Sequence, residues 1–125
     1  MDWRALAAVG VGGCVGSVLR YLVSTGMAAA FGSRFPWGTL VVNAVGGLLI
    51  GFLLEWEAVR GLAPQLRLLL VTGLLGGLTT FSAFSHDTVT LLADGRWGLG
   101  LWNAALNLSL GFGGVLLGKW SVSLL

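Results

Sequence analysis

Thr39 and Asn43 stand four residues apart, as do Asn103 and Asn107, and each pair lies in a stretch without charged residues, Phe35–Leu54 and Trp97–Gly118. Four-residue spacing puts both members of a pair on one face of a helix, and every asparagine brings two amide donors. A third apolar stretch contains "GGLTTFSAFS" at 76–85, which sets the hydroxyls of Thr79, Thr80, Ser82 and Ser85 around Phe81 and Phe84. Neutral donors gathered without a fixed carboxylate suit an anion. The two rings fit that reading through their positive C–H edges, and a separation of three places both on one side of a helix. Arg20, in the first apolar stretch, has the matching sign, although an arginine there can equally send its guanidinium to the membrane interface.

The plainer reading of these groups is interhelical glue, since Ser, Thr and Asn within membranes commonly make hydrogen bonds of about 1 kcal/mol. Two phenylalanines at this spacing also suit a core. Clustering of donors on several segments favours a site. Gly76 and Gly77 ahead of Thr79 and Thr80 favour a local helix break, whose freed carbonyls could bind a cation such as Na⁺ in a protein-lined cavity. His86 and Asp87 raise a proton relay or a catalytic dyad, but no nucleophile motif or metal-ligand spacing accompanies them. The expectation is therefore structure or vestibule lining, and no enzyme.

The chain that must position these groups has 125 residues, 56% hydrophobic and 10% charged, with a mean hydropathy of +0.90. Such a composition excludes a soluble domain with a polar shell. Ala5–Leu19 and Leu68–Ser85 join the two charge-free stretches above, and most of the four approach the roughly 18 to 20 residues needed to cross hydrocarbon. The predicted fold is an all-α integral membrane protein, one transmembrane domain over 1–125, with helices at roughly 3–31, 36–57, 65–92 and 97–120. Trp3, Trp37, Trp56, Trp97 and Trp120 fall at span ends, where indoles sit well among headgroups. Apolar residues run past Arg20 to Phe31, too far for a signal-peptide core of about 7 to 15 residues.

Cys14 is the only cysteine, so no internal disulfide is expected, and a net charge of +2 without a basic cluster gives no reason to expect a nucleic-acid partner. Four spans put both termini on one side with Arg4, Arg60, Arg67 and Lys119, against Arg34 and Arg96 on the other. That bias is weak for a positive-inside signal, so either insertion direction is open. Small-residue pairs at Gly12/Gly16, Gly47/Gly51, Gly73/Gly77 and Gly114/Gly118 predict close helix packing. So small a bundle favours an oligomer.

"GGCVGSVLRY" (12–21), "WGTLVVNAVGGLLIG" (37–51) and "GLLGGLTTFSAFS" (73–85) together resemble the bacterial Fluc (CrcB) fluoride channels over essentially the whole chain. The resemblance implies an antiparallel dual-topology homodimer in the bacterial inner membrane, a third helix broken at mid-membrane, two fluoride pathways, and a Na⁺ at the dimer centre. It assigns Phe81 and Phe84 as pore rings, Asn43 as the pore amide, Gly76 and Thr79 as carbonyl ligands to Na⁺, and Arg20 to the vestibule. Thr39, Ser82 and Ser85 would add hydroxyls along or beside the path, with Thr80 beside them. Where the family usually reads T-T-F-S-T-F this chain has Ala83, and Asn103 and Asn107 occupy the usual tyrosine and serine positions of helix 4.

Fluoride is small and strongly hydrated, so closely placed N–H, O–H and ring-edge donors must replace its water. Flow would be passive, because no ATP-binding motif and no mid-span acid suggests coupling. A small multidrug-resistance-type exporter would need a carboxylate in helix 1, which has none beyond Asp2. A structural membrane subunit is the other alternative.

Overall fold

The computed structural model describes residues 1–125 and is helical almost throughout. Helix α1 runs Trp3–Phe31 and α2 runs Trp37–Arg60. The third apolar segment begins as α3, Pro64–Arg67, continues through π-helical turns at Leu68–Leu75 and ends as α4, Gly76–Leu78. Two extended residues then precede α5, Phe81–Ala93, and α6 occupies Trp97–Ser123. Four spans are long and apolar enough to cross a membrane: Trp3–Phe31, Trp37–Arg60, Pro64–Ala93 and Trp97–Ser123. This is a multi-pass membrane protein. At 1.5 Å per residue the 24 residues of α2 reach about 36 Å, enough for a hydrocarbon core of about 30 Å.

Local chemistry sets the ends. The Asp2 carboxylate accepts from the Arg4 N–H at 3.0 Å and caps α1. Gly32 and Gly61 end α1 and α2 with φ of 81° and 80°, angles that a β-carbon would oppose. Pro36 stands just before α2 as its cap residue. α2 and α6 each run three residues past the expected ends, to Arg60 and Ser123. Polar residues near an interface continue a helix without cost, because water and headgroups satisfy them. At the α2 end the Arg60 guanidinium lies 4.6 Å from the Trp56 ring, and Arg67 meets Glu57 at 2.9 Å.

The four glycine pairs form two seams. A β-carbon on Gly12 would lie 2.8 Å from the Leu74 nitrogen, and one on Gly73 would lie 2.9 Å from the Gly12 α-carbon. On the other seam a β-carbon at Gly47 would lie 2.6 Å from the Gly111 carbonyl, and one at Gly118 would lie 2.6 Å from the Phe52 nitrogen. No residue larger than glycine fits either line without moving backbone. The register climbs together along both seams, so α1 runs parallel to the Pro64–Leu78 stretch and α2 runs parallel to α6. Helices adjacent in sequence are therefore not the most tightly packed. Between the seams, Val42, Leu75 and Leu78 make a small core against which Val23, Ile50, Leu53 and Leu74 pack.

Candidate functional site

The site begins where Thr79 and Thr80 leave helical geometry, with φ/ψ of −83°/155° and −151°/117°. Extended backbone at this point strands donors and acceptors that a helix would have paired, and in an apolar surrounding each must find a partner. One side chain meets both main-chain groups of Thr80. The Asn43 Oδ1 accepts from the Thr80 N–H at 2.9 Å, while the Asn43 Nδ2 donates to the Thr80 carbonyl at 3.1 Å. The amide thus pairs with a main-chain residue as a neighbouring strand would.

The surrounding residues complete this arrangement. The Thr80 hydroxyl accepts from the Ala83 N–H at 3.1 Å and caps α5. Thr79 donates to the Leu75 carbonyl through its hydroxyl at 2.9 Å and its N–H at 3.0 Å. The Arg20 Nε donates to the Gly77 carbonyl at 3.0 Å, across from α1. Glycine at 46 makes room for Thr79, since a β-carbon there would collide with the Thr79 γ-methyl. The carbonyls of Gly76 and Thr79 lose their helical donors, because the Thr80 N–H turns to Asn43 and the Ala83 N–H to the Thr80 hydroxyl. Two such oxygens suit a hard cation.

On α5, the Phe81 and Phe84 rings meet edge to face, with centroids 5.6 Å apart and planes at 67°. Phe81 is 78% exposed, and Ser82 beside it is also exposed. The Ser82 hydroxyl lies 3.3 Å from that of Thr80, and the Ser85 hydroxyl donates to the Phe81 carbonyl at 2.9 Å. A cleft of about 350 Å³ is bordered by Asn43, Gly46, Thr80, Phe81, Phe84 and Asn107. No acidic residue lines it.

Two expected site residues lie further back. Asn103 is fully enclosed, with 0% exposure, and its Nδ2 donates to the Thr88 hydroxyl at 2.9 Å. Thr39 is buried, with its hydroxyl 3.4 Å from the Asp87 carboxylate. His86 lies 3.9 Å from the other Asp87 oxygen and its side chain is 82% exposed. Sequence reasoning overlooked Gly46 and Thr88. Gly46 was masked by its neighbour Gly47, whose seam spacing explained the dipeptide, and Thr88 lay one turn beyond the hydroxyl cluster.

The fold and site together define a small multi-pass membrane protein with a cleft lined by aromatic rings and neutral polar groups. Residues 7–119 match the family described as "CrcB-like protein, Camphor Resistance (CrcB)", and the chain belongs to that family. The "Fluoride-specific ion channel FluC" of Clostridium novyi (strain NT) is 46% identical over 112 residues, covering 89% of this chain and 88% of the relative. The protein of the same name from Rhizobium meliloti (strain 1021) is 54% identical over 94 residues, 74% of this chain and 75% of the relative. That from Shewanella sp. (strain W3-18-1) is 46% identical over 111 residues, 89% and 90% of the two chains.

Proposed function

We propose that this protein is a fluoride-selective channel of the bacterial inner membrane that passively exports fluoride from the cytoplasm. The observation that carries the reading is the edge-to-face Phe81/Phe84 pair, set beside hydroxyls and an amide in a cleft free of acidic side chains. Ring edges and O–H groups can replace water around a small anion without a fixed positive charge that would hold it too tightly. The names of the relatives give the same substrate. A channel needs no bond-making chemistry, so no enzyme activity is assigned.

The exposure of Phe81, at 78%, supports a second copy completing the path. The arrangement proposed is an antiparallel dual-topology homodimer with two pores, in which the Thr79–Thr80 discontinuity breaks the third span near mid-membrane. Na⁺ would be held at the centre by the Gly76 and Thr79 carbonyls of both copies; its charge would fix the two discontinuities against each other. Phe81, Phe84, Ser82, Ser85 and Thr80 would line the path beside Asn43, while Arg20 braces it through Gly77.

The test is efflux from liposomes containing only the purified protein. Fluoride should leave quickly and chloride should be retained; equal loss of both would refute selectivity, and retention of both would refute a channel. Cross-linking between opposed termini should trap a dimer, and one uniform orientation would count against dual topology.

A further inference from the structure

Asn107 has no donor to offer an ion. Both its Nδ2 hydrogens go to Asn103, one to the main-chain carbonyl at 2.8 Å and one to the side-chain oxygen at 3.0 Å. Its Oδ1 accepts from the Asn43 Nδ2 at 3.0 Å, and the residue is only 7% exposed. We propose that Asn107 is a positioning residue, which sets the orientation of the Asn43 amide and through it holds Thr80 in its extended conformation.

The orientation follows from the main-chain groups at the ends of the chain of bonds, the Asn103 carbonyl at one and the Thr80 N–H and carbonyl at the other. An amide side chain has one donor end and one acceptor end. The Asn103 carbonyl can only accept, so the Nδ2 of Asn107 must face it, and the Oδ1 of Asn107 must face Asn43. That oxygen requires a donor from Asn43, which turns the Asn43 Oδ1 toward the Thr80 N–H, the one end of the chain that can only donate. Reversing either amide would set donor against donor or oxygen against oxygen at three points, and the buried Asn107 has little access to water to offset them. Asn103 is anchored in turn by donating to Thr88, whose own hydroxyl donates to the Phe84 carbonyl at 2.8 Å. One network therefore connects α6 to both the Thr79–Thr80 discontinuity and the ring-bearing turn of α5.

The flux half of this inference rests on the proposed channel function; the amide half does not. Asn107→Leu keeps the shape and removes both functions, and Asn43→Leu removes the clamp itself. Hydrogen exchange at the Thr80 amide, followed in the assembled protein in micelles, should quicken about tenfold or more in Asn107→Leu. Amides within α2 should stay protected. Asn107→Asp in acidic buffer keeps an acceptor toward Asn43 and a hydroxyl toward Asn103, and should restore Thr80 protection. In liposomes, fluoride flux should fall about tenfold or more in either leucine variant, and the double variant should be no slower than Asn43→Leu alone.

Unchanged Thr80 exchange in Asn107→Leu would overturn the proposal, and so would multiplying losses of flux in the double variant. Should Asn107→Leu fail to assemble, Asn107→Asp decides alone: Thr80 exchange as slow as in the unaltered protein in acidic buffer supports the network, and fast exchange refutes it. Absence of fluoride flux from the unaltered protein would refute the channel function and leave the exchange result standing.

Discussion

Replacing Gly46 with alanine should strain the site through one methyl group, and a second substitution should relieve it. The new β-carbon would collide with the Thr79 γ-methyl, but it would lie 3.6 Å from the Thr79 β-carbon, an ordinary contact. Thr79 cannot rotate away without giving up the 2.9 Å bond from its hydroxyl to the Leu75 carbonyl. Overpacking of this kind costs about 1–3 kcal/mol, and the lost hydrogen bond would add about 0.5–1.5 kcal/mol. Thr79→Ser keeps that hydroxyl and deletes the methyl. The pair Gly46→Ala/Thr79→Ser should therefore recover most of the loss, with a coupling of about 1–3 kcal/mol against an additivity tolerance of about 0.3–0.5 kcal/mol. Denaturant titration in micelles, read by tryptophan fluorescence, gives the stabilities, and fluoride efflux should follow the same order. Additive effects in the two measurements would refute the claim that Gly46 exists to seat Thr79.

Phe81→Ile should slow fluoride efflux by about tenfold or more while the assembly still elutes intact, because a branched aliphatic chain has no positive ring edge; near-normal flux would show that the path lies elsewhere. Arg20→Met should destabilise the protein by about 1.5–3 kcal/mol, the worth of a charged hydrogen bond, seen as a lower unfolding midpoint; an unchanged midpoint would return Arg20 to an interfacial role. Gly16→Ala should cost about 1–3 kcal/mol or more, since its β-carbon would lie 2.8 Å from the Leu78 nitrogen and backbone cannot step aside. Gly113→Ala, with nothing within 4 Å of the new atom, should be near neutral in the same titration. Comparable losses at both glycines would contradict the seam assignment.

The sequence alone determined that the chain enters a membrane, where its four spans lie, and that neutral donors and aromatic rings collect on three of them. These properties depend on local composition: a run of apolar residues must leave water wherever it occurs, and the glycines at 32 and 61 end their helices through their own backbone. It also marked 76–85 as unusual, from the types of residue present. Partner choice was not legible there. The four glycine pairs look alike in sequence, and only the packed bundle joins Gly12/Gly16 to Gly73/Gly77 and Gly47/Gly51 to Gly114/Gly118, between helices two apart along the chain.

The asparagines separate in the same way. Sequence presents Asn43, Asn103 and Asn107 as equivalent donors beside a path, whereas the structure puts both hydrogens of Asn43 on groups 37 and 64 residues away and encloses Asn103 altogether. A donor's chemistry is written in its residue type. What receives that hydrogen depends on which backbone groups lose their helical partners at Thr79 and Thr80, and on which side chains the seams bring within about 3 Å. Those are tertiary facts, because a bond between distant residues exists only once both helices are in place.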